Sequence, residues 1–178
     1  EFGYLTLVIL VTSGITLMAQ PISGAVFPRM TLLFAQKRKV EFVRLYRQSC
    51  QFVTWLSFSI AIIVGLNSEA LLYAFSGNRE AADWGAQILI WLAFGSALLT
   101  TMAYQYYLQA AVGELKLHVI GGSIGAAIQV PITAYVTLNY GVLGAGICWF
   151  CTRLAFFLFW TPIVHRKFLP GFHLPWLL

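Results

Sequence analysis

Residues 117–152 form a run of 36 residues without Asp, Glu, Lys or Arg, and they read LHVIGGSIGAAIQVPITAYVTLNYGVLGAGICWFCT. As one helix this run would be about 54 Å long, whereas the hydrocarbon core of a bilayer is about 30 Å thick. The run therefore has to reverse direction, and Asn139-Tyr140-Gly141 is the strong turn signal inside it. The stretch predicts two membrane-spanning helices joined by a tight turn.

The rest of the chain has the same character. Of its 178 residues, 60% are apolar and only 10% are charged, whereas soluble domains carry about 25% charged residues. Its apolar runs do not alternate with polar residues, which excludes the strands of a membrane barrel. We predict one all-α integral membrane region over 1–178, a polytopic bundle of about five transmembrane helices near 4–33, 50–74, 86–111, 116–138 and 142–164.

The basic residues predict the orientation of this bundle. The net charge is +5, and nine of the eleven cations fall in loops on one side, namely Arg29, Lys37, Arg38, Lys39, Arg44, Arg47, Lys116, Arg166 and Lys167. Cytoplasmic loops are enriched in Lys and Arg, so residue 1 is expected outside the cell and the tail in the cytoplasm. The charge is thus a topology signal, and no nucleic-acid partner is expected.

Segment 35–48 differs from the spans. Phe42, Leu45 and Tyr46 share one helical face and cations populate the other, while Glu41 can pair with Lys37 or Arg44. This pattern predicts an amphipathic linker helix on the inner leaflet, with its cations, together with Arg29, as candidate contacts for lipid headgroups. A solvated connecting helix is the alternative.

Arg153 lies at the centre of predicted helix 142–164, where an Arg costs about 2.5–3.5 kcal/mol on the insertion scale. Intramembrane charges usually face a cavity or a partner rather than lipid. The functional hypothesis is a cation in a water-filled cavity that meets an anionic group of a substrate. The structural alternative is an Arg capped by backbone carbonyls and aromatic faces.

Uncharged polar residues repeat every three or four positions in three of the helices, so each set lies on one helical face. The candidate substrate-binding residues in these stripes are Gln20, Gln105, Gln109, Gln129 and Thr133. Such faces suit a cavity for hydroxyl-rich groups such as sugars. They equally suit hydrogen bonds between helices, which contribute about 0.6 kcal/mol on average.

Signals for catalysis or metal binding are weak. Cys148 and Cys151 form a Cys-x-x-Cys pattern in the middle of an apolar helix, where we interpret them as small buried thiols. No span holds a carboxylate pair, and the sequence has no nucleophile elbow or phosphate loop. We expect no catalytic residue, no metal and no cofactor, and we therefore predict that the protein is not an enzyme.

Four motifs carry a resemblance to a known family. They are Phe2-Gly3-Tyr4; Phe27-Pro28-Arg29 followed by Ala35-Gln36 and Leu45-Tyr46-Arg47; Leu108-Gln109-Ala110-Ala111-Val112-Gly113 with Lys116; and Tyr140-Gly141-Val142-Leu143-Gly144-Ala145-Gly146. In order and spacing the chain resembles the C-terminal half of a polysaccharide flippase of the multidrug/oligosaccharidyl-lipid/polysaccharide exporter superfamily. The tail 170–176 resembles the linker before the last helices of longer members.

The resemblance implies a two-lobed transporter of 12–14 helices, of which this chain would supply helices eight to twelve. Such proteins move an oligosaccharide linked to a polyprenyl diphosphate across the inner membrane for cell-surface polysaccharide biosynthesis, so this chain would be expected in that membrane. The matched motifs carry over no binding residue, and our own hypothesis is that Arg153 supplies the fixed cation that a diphosphate needs. With no initiator Met, we expect a fragment whose partners are membrane lipid, this substrate and the missing N-terminal half. The alternatives are a drug/cation exporter or lipid II flippase of the same superfamily, or a membrane-embedded glycan-modifying enzyme.

Overall fold

The computed structural model describes residues 2–172 and residue 176, and every regular element in these ranges is a helix. The helices are α1 (Phe2–Ala35), α2 (Lys39–Leu66), α3 (Ser68–Ser76), α4 (Arg79–Val112) and α5 (Lys116–Phe168). By length and composition, four of them, α1, α2, α4 and α5, are long and apolar enough to cross a membrane. The sequence-based expectation of an all-helical membrane bundle agrees with this architecture.

Helix α5 is interrupted at Gly141, whose backbone has φ 69° and ψ −163°. This conformation is open essentially to glycine alone, because a Cβ would collide with the backbone. The two halves, 116–140 and 142–168, fold back on each other as the α5 hairpin. Its antiparallel register is visible in two contacts, in which Gly121 faces Trp160 and Gly125 faces Phe156. The reversal therefore occurs at the turn predicted from residues 139–141.

The second span differs from its prediction at both ends. Segment 35–48 is not a separate linker helix, because α2 begins at Lys39 and continues without interruption to Leu66. One buried stripe explains this continuity, since buried residues recur every three or four positions along the whole helix, at Phe42, Tyr46, Ser49, Cys50, Val53, Ser57, Ala61 and Val64.

The predicted helix 50–74 is divided at Asn67. The Nδ2 of this residue donates to the Ile63 carbonyl over 2.8 Å, and its backbone leaves the helical conformation at φ −114° and ψ 24°. Asparagine favours such local bonds over helix continuation. The short α3 that follows packs its buried Leu72 against Gly85 of α4.

The packing defines two ends of the bundle. At one end, a buried cluster joins the end of α1, the start of α2, the end of α4 and the end of α5, through residues such as Met30, Tyr46, Leu108 and Val164. The three segments that carry the nine grouped cations meet here, and we name it the cationic end. A second buried cluster, with Val8, Val64 and Leu72, lies at the opposite end.

Helix α4 is central, because α1, α2, α3 and α5 all pack against it. In contrast, α1 and α5 have little or no direct contact with each other within the described residues. The two helices therefore flank α4 with a gap between them, and this gap forms the candidate functional site.

Candidate functional site

A cavity of about 630 Å³ fills the gap between α1 and the α5 hairpin, with α4 as its floor. This volume is in the range of small-molecule sites, which is about 300–1,000 Å³. Its polar lining comes from all three helices and consists of Thr16, Gln20, Ser23, Thr100, Gln105, Gln109, His118, Gln129, Thr152 and Arg153. None of the described lining residues is acidic. The cavity thus combines a mostly apolar wall with uncharged polar groups from three helices and one permanent cation.

The structure brings together five of the six residues that the sequence marks as candidate substrate contacts. Gln20, Gln105, Gln109, Gln129 and Arg153 all line this one cavity. The shared location follows from the helical repeat, because residues three or four positions apart point to the same side.

The sixth candidate, Thr133, lies elsewhere. It lines a neighbouring groove of about 690 Å³ on the first half of the α5 hairpin, and its Oγ1 lies 3.8 Å from Cys148 Sγ. The groove is mostly apolar along 126–138 and shares Gln129 with the main cavity. Thr133 therefore contacts the second half of the hairpin and does not reach the cavity.

Arg153 is half-buried, and its guanidinium carbon lies 5.3 Å from the centre of the Trp149 ring. Its Nε is buried, and no described residue accepts a hydrogen bond from it. Among the described residues, no carboxylate lies within ion-pair distance of this guanidinium. The aromatic contact expected for a purely structural arginine is therefore present. A backbone carbonyl that accepts a hydrogen bond from Nε is not found among the described residues. A buried donor without an acceptor costs free energy, so the site favours an added acceptor.

The four glutamines of the cavity are not equivalent. The amide of Gln109 is engaged at both ends, because its Oε1 accepts from the His118 backbone N–H over 2.8 Å and its Nε2 donates to the Gln105 carbonyl over 3.2 Å. Gln109 thus connects α4 to the first turn of α5, where the backbone N–H groups lack helical partners. This arrangement is structural and leaves little capacity for a ligand.

The other three glutamines retain free hydrogen-bonding groups. Gln105 donates through Nε2 to Thr161 Oγ1 over 2.5 Å, and this bond leaves its Oε1 as an acceptor. Gln20 and Gln129 form no side-chain hydrogen bond with any described residue. An amide offers two donors and two acceptor sites, so these two residues present the largest unused capacity to a ligand.

The aromatic part of the lining was not among the predicted substrate contacts. Trp160 and Phe156 line the cavity, as does His118, whose ring lies 4.9 Å from that of Tyr106. The signal was available in the α5 hairpin register, since its two large aromatic residues fall opposite the Gly-x-x-x-Gly pair at 121 and 125. A glycine opposite a large ring allows two helices to approach closely.

At the cationic end, acidic residues form ion pairs with only two of the nine basic residues. Glu41 forms a two-point ion pair with Arg38, with contacts of 2.7 and 2.5 Å, rather than with Lys37 or Arg44 as the spacing predicted. Lys167 pairs with Glu114 across the base of the α5 hairpin. The remaining cations of this end have no ion-pair partner among the described residues, namely Arg29, Lys37, Lys39, Arg44, Arg47, Lys116 and Arg166.

Titratable and thiol groups do not gather elsewhere in the part of the chain that the structure describes. No three His, Cys, Asp or Glu side chains of that part are arranged to hold a metal ion. Cys50 is a buried free thiol, Cys148 is half-buried and Cys151 is exposed on the surface of the bundle. Cys151 thus departs from its interpretation as a buried thiol, because α5 packs on α4 through its other face.

Comparisons with protein families, curated proteins and solved structures found no match. The class of the protein is therefore defined by its fold, which is a bundle of long apolar helices around a cavity with one cation. The chemistry of that cavity is the basis of the functional proposal below.

Proposed function

We propose that this bundle is part of a membrane transporter that moves a polyprenyl-diphosphate-linked oligosaccharide across the inner membrane for cell-surface polysaccharide biosynthesis. One observation carries the proposal, namely that unused amides and one unpaired guanidinium share a single cavity inside an apolar bundle. The resemblance of the motifs to polysaccharide flippases supports the same function, with this chain as part of a two-lobed architecture.

The substrate has three chemical parts, and the surfaces of the bundle match each of them. Sugar hydroxyls need hydrogen-bonding partners, which Gln20, Gln105 and Gln129 can provide. A diphosphate needs a cation with planar donors, and a guanidinium binds such oxygens through paired hydrogen bonds. The polyprenyl chain stays in lipid, beside the exposed apolar side chains of α1 and α5.

The charge of the cavity favours an anionic cargo over a cationic drug. Arg153 is the permanent charge in the described lining, and no described carboxylate is there to attract a cation. Moving a cation past an unpaired guanidinium in a medium of low dielectric constant would be opposed by charge repulsion.

We also propose that the cationic end faces the cytoplasm, where the positive-inside rule places basic loops. Seven of its cations lack an ion-pair partner among the described residues, and these charges can contact the anionic headgroups of the inner leaflet. A cysteine placed at exposed Lys37 should then react with a membrane-impermeant reagent only in inverted vesicles, and a cysteine at exposed Arg79 only in intact cells.

The transport proposal is tested by substitution of the one cavity cation. We expect Arg153→Ala in proteoliposomes to reduce transfer of a fluorescent polyprenyl-diphosphate oligosaccharide at least tenfold, and Arg153→Lys to retain part of it. Exposed Arg166 lies outside the cavity, so Arg166→Ala is the matched control and should transport normally. Normal transport by both Arg153 variants, at equal protein levels, would refute the proposal.

A further inference from the structure

We propose that Trp149 is a positioning residue, which holds the guanidinium of Arg153 in its orientation at the cavity wall, and that Gly95 provides the space that Trp149 needs. The orientation is a property of the bundle itself. Its use in binding a diphosphate rests on the function proposed above.

The first observation is the fit between Gly95 and the indole. A Cβ placed on Gly95 would lie 2.2 Å from Cζ3 and 2.4 Å from Cε3 of Trp149. These distances are far below any van der Waals contact, and both atoms belong to a rigid ring. The indole therefore occupies the volume that any side chain at position 95 would need, and only glycine leaves it in place.

The second observation is the position of Arg153 relative to this ring. The two residues are four positions apart on one helix, so their side chains lie on the same face. The guanidinium carbon lies over the ring at 5.3 Å from its centre, which is within the range of a cation–π contact. This contact links the guanidinium of Arg153 to an indole that fits only against a glycine at position 95.

The third observation is that other restraints on the charge are missing from the described surroundings. The Nε of Arg153 is buried without an acceptor, and no described carboxylate pairs with the group. The ring of Trp149 is then the described contact that restrains the guanidinium. The N–H groups of Arg153 have no acceptor among the described residues, so they stay available to bind the oxygens of a phosphate group.

The test compares four variants in the purified protein, the fourth being Trp149→Phe. Gly95→Ala forces the indole to move, and Trp149→Leu removes it, whereas Gly24→Ala is a matched control in α1, outside the cavity lining and with open space around its Cβ. Exchange of the Arg153 Nε–H with water, measured by nitrogen-15 NMR, reports the burial of this atom without any ligand. Affinity for geranyl diphosphate reports the consequence for binding.

We expect Gly95→Ala and Trp149→Leu to accelerate the exchange at least threefold and to weaken geranyl diphosphate binding about 2- to 30-fold, which is the factor that corresponds to one cation–π contact. Gly24→Ala should change neither quantity. Trp149→Phe keeps an aromatic face and should retain most of the protection of the Arg153 Nε–H. If Trp149 only filled volume, the phenylalanine and leucine variants should protect this group equally.

The inference is overturned if Trp149→Leu shows the same Nε–H exchange rate and the same affinity for geranyl diphosphate as the wild type. If Gly95→Ala fails to fold, the result for Trp149→Leu is sufficient by itself. Faster exchange in a protein that binds no geranyl diphosphate, even as wild type, would support the positioning role and refute the transport proposal. The two ideas therefore fail separately.

Discussion

Substitution of the glycine at the turn of the α5 hairpin tests whether the turn depends on a backbone conformation that other residues rarely adopt. Gly141 has φ 69° and ψ −163°, and apart from its own local backbone a Cβ at this position would meet no atom within 4 Å. Gly141→Ala therefore strains the local backbone without a clash against the rest of the bundle. A residue in such a region costs about 1–3 kcal/mol, and the reduced entropy of the unfolded chain returns about 0.4–1 kcal/mol.

We expect Gly141→Ala to lower the free energy of unfolding by about 1–2 kcal/mol as the net of these two terms. The matched control is Gly14→Ala in α1, where a Cβ also meets nothing within 4 Å but the backbone is helical. Because alanine is a better helix former than glycine by up to about 1 kcal/mol, the control should be neutral or stabilising. Gly141→Ala should thus be destabilising, whereas the control should not.

Titration with sodium dodecyl sulfate in mixed micelles, followed by circular dichroism, measures both stabilities. A second assay reports the turn directly, since Thr133→Cys would place a thiol beside Cys148, where the native side-chain atoms are 3.8 Å apart. In a background without Cys50 and Cys151, disulfide formation should be slower in Gly141→Ala. Equal stability of Gly141→Ala and the Gly14→Ala control, with an unchanged disulfide rate, would refute the conformational argument.

Three further predictions concern individual hydrogen bonds and are checked by the same unfolding titration. Tyr46→Phe removes the 2.8 Å bond between Tyr46 Oη and His165 Nε2, and should cost about 0.5–1.5 kcal/mol; an unchanged midpoint would contradict a stabilising role. Gln109→Leu leaves the His118 N–H without its acceptor and should cost about 1–3 kcal/mol. Gln129→Leu should alter stability by less than about 0.5 kcal/mol yet reduce transport, and a stability loss equal to that of Gln109→Leu would exclude its assignment as a free ligand group.

Much of the fold follows from the order of residues along the chain. The length of each charge-free run is a local property, and the bilayer thickness converts it into helices and a turn. The stripes of Gln and Thr are local in the same sense, because the helical repeat places their members on one side. Five of the six candidate residues line one cavity, and their role as substrate contacts stays a prediction.

The errors have a common origin in contacts between elements. The sequence indicated a separate linker over 35–48, but α2 continues through it because its buried stripe packs against α1 and α4 along the whole helix. Thr133 has the right spacing for its stripe but faces the second half of the α5 hairpin. Glu41 has two cations at helical spacing and pairs with a third, Arg38.

The sequence alone determined that the chain forms long apolar helices, that it turns at 139–141 and that its basic residues gather at one end, because hydrophobicity and charge act through composition and spacing. Only the tertiary structure decided which polar groups remain available. The side chain of Gln109 is hydrogen-bonded to the first turn of α5. In contrast, the amide of Gln129 has no hydrogen-bond partner, and the Nε of Arg153 has no acceptor, among the described residues. The difference depends on how neighbouring helices are rotated against α4, and that rotation is set by packing such as the indole of Trp149 against Gly95.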